Sequence, residues 1–481
     1  MKLNEFIMKD LGPADLFNKK RIMNKINIDE QKTDTSDVNV LVLSSRADNK
    51  SKLFHTTKRI IDECTKRKIP SYVLFSDNAR LELTEEGGYI AYNIDDKKGF
   101  PIHSDNTIVI NRGSVMARFN SRNIISQLEK RSIFCINNRE TIEVCSDKFR
   151  TILRLVDAGV PTPKTALIQG IEGIQDAVDQ IGGKFPYILK TIFGSKGVGV
   201  IFVESMSSLK STLQLIWKIN EEEELLLQEY INSDFDVRVH VLGNEVIAAM
   251  SRSKIKDDFR SNYSQGGKVK KYKMSDEETE LSIKSAKAVG ASWAGVDFIT
   301  KNGKIYVLEV NSSPGTAGIE EAIGENLVGS IIDWSLEKKN WVKVSKEIGY
   351  KEMVKINGLD LQAKFDTGNG YLCVMHADKY DIDEKSKTVS WTSHGKKFKN
   401  PYSSIEDVTV GGAKEYVEKR PEILLDMSFD GVLYKEVGFT LDDRSERTPV
   451  LISRKFMNKA NVSVNPAKRY VVTVKEEKNN G

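Results

Sequence analysis

The chain alternates short apolar runs with turn residues, and the period of those runs changes along its length. Val38-Asn39-Val40-Leu41-Val42-Leu43 reads as a buried strand, followed by a helical repeat over 53–64 and strands at 71–75 and 106–110. Strands alternating with helices predict a small α/β domain with a parallel sheet over residues 37–145. Residues 1–36 are polar, mixed in charge, and read as an N-terminal extension. From Ser146 the pattern shifts: Asp147-Lys148-Phe149-Arg150 opens a helix that ends near Gly159, with Pro161 and Pro163 as stops. Strands follow at 187–190, 199–203 and 225–231, and 236–242 alternates with period two before Gly243-Asn244 turns it back. After Trp341 the runs are strand-like only, predicting an all-β barrel over 341–481 with no helix. Between them, 146–340 reads as an α+β domain.

Val307-Leu308-Glu309-Val310-Asn311 and Ala294-Gly295-Val296-Asp297 are two strands joined across the hairpin signal Lys301-Asn302-Gly303. Strand side chains alternate faces, so Glu309 and Asn311 share one. With 301–303 as the loop, Thr300 pairs with Lys304, Asp297 opposes Val307, and Asp297 lies diagonal to Glu309 on that face. Two negative charges about 4 Å apart repel by roughly 4 kcal/mol at an effective dielectric near 20. A hard divalent cation would offset this, and magnesium is commonly held by one or two carboxylates while substrate phosphates complete its shell. A solvated sheet face is the alternative reading of the same residues.

Phosphate ligands are legible upstream. Lys190 ends a strand that runs into a loop holding Gly194, Ser195, Gly197 and Gly199 before a strand resumes. Such a glycine-rich hairpin lets backbone amides approach an anion, although its spacing is not that of a P-loop. Residues 252–267 show no apolar period, carry Arg252, Lys254, Lys256, Arg260 and Asn262, and read as a long basic loop. Lysine hairpin, carboxylate hairpin and basic loop together describe a nucleoside triphosphate site.

Composition narrows the class. With 72 Lys and Arg against 68 Asp and Glu the net charge is +4, too balanced for direct nucleic-acid binding to be expected. The four cysteines are scattered without a metal or disulfide spacing. The absence of a long apolar run leads to an expectation of no membrane contact and a cytoplasmic location.

At this point the residues resemble the ATP-grasp superfamily, and more closely the RimK-type α-L-glutamate ligases, from about Asp147 to Gly324. The matching stretches are Lys190 with Gly194-Ser195-Lys196-Gly197, Gln228-Glu229-Tyr230, Asp236-Val237-Arg238, Asp258-Phe259-Arg260-Ser261-Asn262, Gly266-Gly267, Ala294-Gly295-Val296-Asp297 and Glu309 to Gly315. The resemblance implies a pre-ATP-grasp α/β domain followed by an ATP-grasp domain. It implies that Lys148, Lys190, Gly194, Ser195 and Gly197 serve the ATP phosphates, that Glu229 and Tyr230 sit at the adenine hinge, and that Asp236 contacts the nucleotide. Arg260, Ser261 and Asn262 would hold phosphate and the reacting acyl group, with Arg260 and Asn262 catalytic. Asp297, Glu309 and Asn311 would bind two magnesium or manganese ions. The implied reaction joins an amine, glutamate by expectation, to a carboxylate of a protein or peptide acceptor, in a homo-oligomer (dimer or tetramer).

Residues 348–472 resemble retropepsin-like domains once described as ATP-dependent zinc proteases, through Ala363-Lys364-Phe365-Asp366-Thr367-Gly368 and Leu441-Asp442-Asp443-Arg444. Asn369 and Ser453 depart from that pattern. The resemblance implies Asp366 as a hydrolytic residue that trims the ligase product. An aspartic dyad needs two aspartates, so two chains would have to pair. A ligase for a small metabolite, a nucleotide-gated protease and a silent adaptor barrel are the competing readings.

Overall fold

The computed structural model describes residues 38–45, 53–84, 88–112, 119–194, 199–253, 268–410 and 416–474. Strand β1 (Asn39–Ser44) is buried along almost its whole length because it is central in a parallel sheet ordered β2-β1-β6-β7, with β2 Ser71–Phe75, β6 Thr107–Asn111 and β7 Phe134–Ile136. Helices α1 (His55–Lys66), α2 (Phe119–Lys130) and α3 (Arg139–Ser146) accompany it, and an antiparallel sheet of β3 (Ala79–Leu83), β4 (Tyr89–Asn93) and β5 (Phe100–Ile102) is inserted before β6. Helix α4 (Lys148–Asp157) starts where the sequence predicts, with Asp147 capping it by accepting the Arg150 amide.

Two antiparallel sheets follow. The smaller, ordered β10-β9-β11-β8, is built from β8 (Thr165–Ile168), β9 (Tyr187–Thr191), β10 (Val200–Val203) and β11 (Leu225–Glu229), with α5 (Ile174–Gln180) and α6 (Met206–Ile219) as connections. The larger runs β14-β13-β12-β15-β16: β12 Phe235–Leu242, β13 Glu245–Ser253, β14 Val269–Lys271, β15 Trp293–Lys301 and β16 Lys304–Asn311. Helices α7 (Asp276–Ala288), α8 (Ala317–Ile323) and α9 (Leu327–Leu336) complete this region.

The β15–β16 register corrects the expected one. The turn is Asn302-Gly303 alone, both residues at positive φ, so Lys301 pairs with Lys304 and Phe298 with Val307. A bulge then places Leu308 unpaired and sets Asp297 directly opposite Glu309, not diagonal to it. The bulge also shifts phase. Ile305 and Val307 are buried, whereas Glu309 and Asn311 come out on the other face.

The C-terminal region is β-rich, as expected, and closes on itself. Strands β18 (Lys351–Ile356), β19 (Leu359–Phe365), β26 (Val450–Ile452), β20 (Cys373–His376), β25 (Val432–Asp442) and β24 (Tyr416–Phe429) form a ring that the β18–β24 pairing completes. From β24 the sheet continues outward through β23 (Lys396–Val410), β22 (Thr388–Ser393) and β21 (Lys379–Asp383), while β17 (Lys346–Gly349) pairs in parallel with β27 (Val462–Asn465). The expectation of no helix is corrected by α10 (Arg454–Ala460), which Ser453 caps by accepting the Phe456 amide. Glu352 is fully buried beneath this region and accepts the amides of Gly349, Val471 and Thr473 at 2.8, 2.8 and 3.1 Å.

Candidate active site

Register places the chemistry on one face of the larger sheet. Residues directly opposite across antiparallel strands share a face, so Arg252 lies with Asp236, and Arg238 with Asp297 and Glu309, in one row. The side chains bond as that row requires. Arg238 donates through Nε to Asp297 Oδ1 at 2.7 Å and through Nη2 to Oδ2 at 2.5 Å. Arg252 donates through Nε and Nη2 to the two Asp236 oxygens at 2.6 and 2.8 Å, and through Nη2 to Asp297 Oδ2 at 2.9 Å. The two guanidiniums hold Asp297 well below the usual carboxylate range against the opposing effect of burial. Burial pushes Asp236 upward despite Arg252. Arg252 is therefore a buried strand residue and not part of a basic loop, which corrects the expectation from its charge.

Glu309 is the open carboxylate of the row. Its side chain is 43% exposed, with Arg238 Nη2 3.6 Å from Oε1, and Asn311 Nδ2 donates to that same oxygen at 3.0 Å. Gly295, opposite Asn311, leaves room for the loop that follows, since a Cβ there would come within 2.7 Å of Pro314 Cβ.

The lysines approach from the smaller sheet. Lys190, paired with Val200 and Leu226, donates to Gln228 Oε1 at 2.6 Å. Lys148 donates to the carbonyls of Thr191, Ile192 and Gly194 at 3.1, 3.2 and 3.3 Å, bracing the strand end that enters the glycine hairpin. Burial lowers both lysines, Lys190 to about 8, and Glu309 pulls both partly back. Glu229 ends β11 with Oε2 accepting the Lys164 amide at 3.3 Å, and the Tyr230 ring stands edge-on to Phe202 with centroids 5.0 Å apart. The predicted Ser195, Gly197, Arg260, Ser261 and Asn262 lie outside the described residues.

These donors fit a magnesium ion only in part of their lone pairs. Asp297 Oδ2 accepts two hydrogen bonds and is filled, leaving one lone pair on Oδ1. Glu309 and the Asn311 carbonyl oxygen supply the remaining hard oxygen donors. Asp236, Asp297 and Glu309 against Arg238, Arg252, Lys148 and Lys190 leave one formal positive charge among these side chains, which suits a polyanion.

In the C-terminal region, Asp366 follows β19 with Oδ1 accepting the Gly368 amide at 2.9 Å and Oδ2 facing Lys364 Nζ at 3.3 Å. His376 accepts the Arg444 amide at Nδ1 and pairs through Nε2 with Asp378 at 3.1 Å. No group of three or more His, Cys, Asp or Glu side chains stands ready for a metal among the described residues.

Sequence reasoning missed the Arg238–Asp297–Arg252–Asp236 network. Its signal was available: Asp236 and Arg238 are two apart on a period-two strand, which puts opposite charges on one face.

A sequence family described as the RimK-like ATP-grasp domain matches residues 145–335. The "Probable alpha-L-glutamate ligase" of Coxiella burnetii is 37% identical over 230 residues, 47% of this chain and 75% of that protein. The protein of the same name in Marinobacter nauticus is 30% identical over 295 residues, 61% of this chain and 94% of its own length. A solved ATP-grasp ligase, PsnB complexed with a minimal precursor, aligns at 19% identity with a TM-score of 0.49, over 62% of this chain and 99% of its own. With Lys148 and Lys190 facing a carboxylate row, and with relatives of that identity matched over most of their length, the chain belongs to the RimK-like ATP-grasp ligases.

Proposed function

We propose that the chain uses ATP to activate a carboxylate and joins it to the amine of glutamate, forming an amide on a protein or peptide acceptor. The reading rests on the single row in which Arg238 and Arg252 fix Asp297 beside an open Glu309, opposite Lys148 and Lys190. The names of the relatives in Coxiella and Marinobacter support glutamate as the amine. Lys148 and Lys190 pair with the triphosphate, and Glu229 and Tyr230 stand at the adenine end. Asp297 Oδ1, Glu309 and Asn311 are the residues that would hold magnesium or manganese. When bound, such a cation supplies positive charge against the charge that develops on the transferred phosphoryl group.

The terminal phosphoryl passes to the carboxylate oxygen, the amine nitrogen attacks the acylphosphate carbon, and phosphate leaves. None of this requires a side-chain nucleophile. Positioning and charge neutralisation carry the rate.

The barrel is the second half of the reading. Asp366, in its turn after β19, is the residue proposed to hydrolyse glutamyl additions, and a second copy of the chain would bring the other aspartate of a dyad. Ser453, one of the departures from the protease pattern, works as a helix cap here.

The test is ADP release from ATP, magnesium and each amino acid, with and without peptides ending in glutamate. Glu309→Ala should abolish release and Asp366→Ala should leave it intact. Unchanged turnover in Glu309→Ala would overturn the site.

A further inference from the structure

Buried polar atoms without partners are rare, and in this chain they collect at one place. Among the described residues seven buried side-chain nitrogen or oxygen atoms lack a hydrogen-bond partner, and five belong to Ser45, Asn111, Arg112 and Ser121. Ser45 follows β1, Asn111 ends β6 with Arg112 just past it, and Ser121 lies in the first turn of α2. These are the carboxyl ends of parallel strands and the start of a crossover helix, the edge at which open α/β sheets take ligands.

Arg112 is the member with the most unused capacity. It is 4% exposed, and its Nε and Nη1 have no partner. Its Nη2 donates to the Pro314 carbonyl at 2.8 Å, and its guanidinium carbon lies 4.7 Å from the centre of the Trp293 ring. No carboxylate pairs with it among the described ion pairs, and burial alone acts on it, drawing it down to about 9.

A purely mechanical role does not account for this. Asn137, on the next strand end, already clamps the same loop with every polar group used. Its Nδ2 donates to the Trp293 and Ser312 carbonyls at 2.6 and 2.8 Å, and its Oδ1 accepts the Ser292 and Trp293 amides at 2.7 and 3.1 Å. Arg112 adds one bond to that clamp and leaves the rest of its fork unsatisfied.

We propose that Arg112 receives a carboxylate of one of the two co-substrates of the ligase reaction, an inference that rests on the proposed function. A planar guanidinium matches a carboxylate or a phosphate. Arg112 stands at the edge of the parallel sheet, whereas Lys148 and Lys190 belong to α4 and β9. It is nevertheless tied to Pro314, three residues beyond Asn311 on the loop that leaves the site. A substrate that reaches the reacting centre therefore extends past it to this arginine.

Two measurements on the full chain test this. Steady-state ADP release is recorded with L-glutamate varied against a saturating peptide ending in glutamate, then the reverse. Arg112→Gln should raise the KM of one of them by about 10²-fold, the size expected when a buried charge loses its partner. The ATP KM should stay within about twofold, and Arg112→Lys should recover about tenfold. The arm that moves identifies whose carboxylate is bound. Asn137→Ala is the mechanical comparator, expected to lower Tm and shift all KM values together. Binding of the same probes without ATP, followed by tryptophan fluorescence with Trp293→Phe as the control, separates the claims. Binding that depends on Arg112 in a chain without turnover refutes the ligase reading alone. Turnover with both KM values unmoved in Arg112→Gln, or moved as in Asn137→Ala, refutes the role of Arg112.

Discussion

Replacing Arg252 by Met probes the row at its most buried point. The substitution keeps the aliphatic volume and removes three charge-assisted bonds, two to Asp236 and one to Asp297. Asp297 retains Arg238, but Asp236 is left without its guanidinium. At about 3 Å and an effective dielectric near 20, each lost attraction is roughly 5 kcal/mol before desolvation is counted. Leaving a buried carboxylate unpaired costs about 3–5 kcal/mol net. For a domain of this size that lowers Tm by roughly 6–20 °C. Burial already raises the Asp236 carboxyl, and without Arg252 it rises further. An acid whose folded pKa lies above its unfolded one contributes stability at low pH that is lost as pH rises. The defect should therefore be smaller at pH 5 than at pH 8. Adding Asp236→Leu removes the orphaned charge and should restore most of the loss. Differential scanning calorimetry at the two pH values, with the double variant alongside, is the assay. A loss under about 1 kcal/mol, equal at both pH values and unaltered in the double variant, would show that the row is not the coupled, buried unit described.

Three further outcomes follow from other parts of the molecule. With Lys190 at about 8, the free enzyme loses its ammonium above that pH, so the KM for ATP should rise from pH 7 to pH 9.5, and Lys190→Arg should flatten the profile. Glu352→Gln turns an amide donor toward amides that already donate, and should destabilise the barrel by about 2–3 kcal/mol in urea unfolding while ADP release persists. Gly295→Ala presses on Pro314 and should cost about 1–3 kcal/mol in thermal unfolding and displace the Asn311 loop, seen as reduced ADP release.

The sequence made the ligase half legible because strand alternation and turn residues are local. Asn302-Gly303 marked the hairpin, Asp147 the start of a helix, and Gly243-Asn244 a reversal that the structure repeats residue for residue. What escaped was set by pairing between strands. The loop read over 301–303 is one residue too long, and the bulge at Leu308 has no compositional mark, so Asp297 was set opposite Val307 instead of Glu309. Arg252 looked like the start of a loop because hydropathy treats a charge as exposed, whereas two buried aspartates hold it inside. In the barrel, β23 carries no apolar run because it lies outside the ring and alternates half-buried with exposed residues over much of its length. Helix α10 is seven residues long, too short for a helical period to register.

The unpaired Leu308 acts as a parity switch. A strand has only two sides, so one surplus residue decides whether everything beyond it faces inward or outward. Were Leu308 drawn into the ladder instead, Val310 would reach the reacting surface and the Glu309 carboxylate would turn toward the packed interior, whereas deleting Leu308 sets Glu309 directly after Val307 and keeps both on their present faces. The chemistry of this chain thus depends on whether that one residue is paired or left out, more than on the identity of the leucine that fills it.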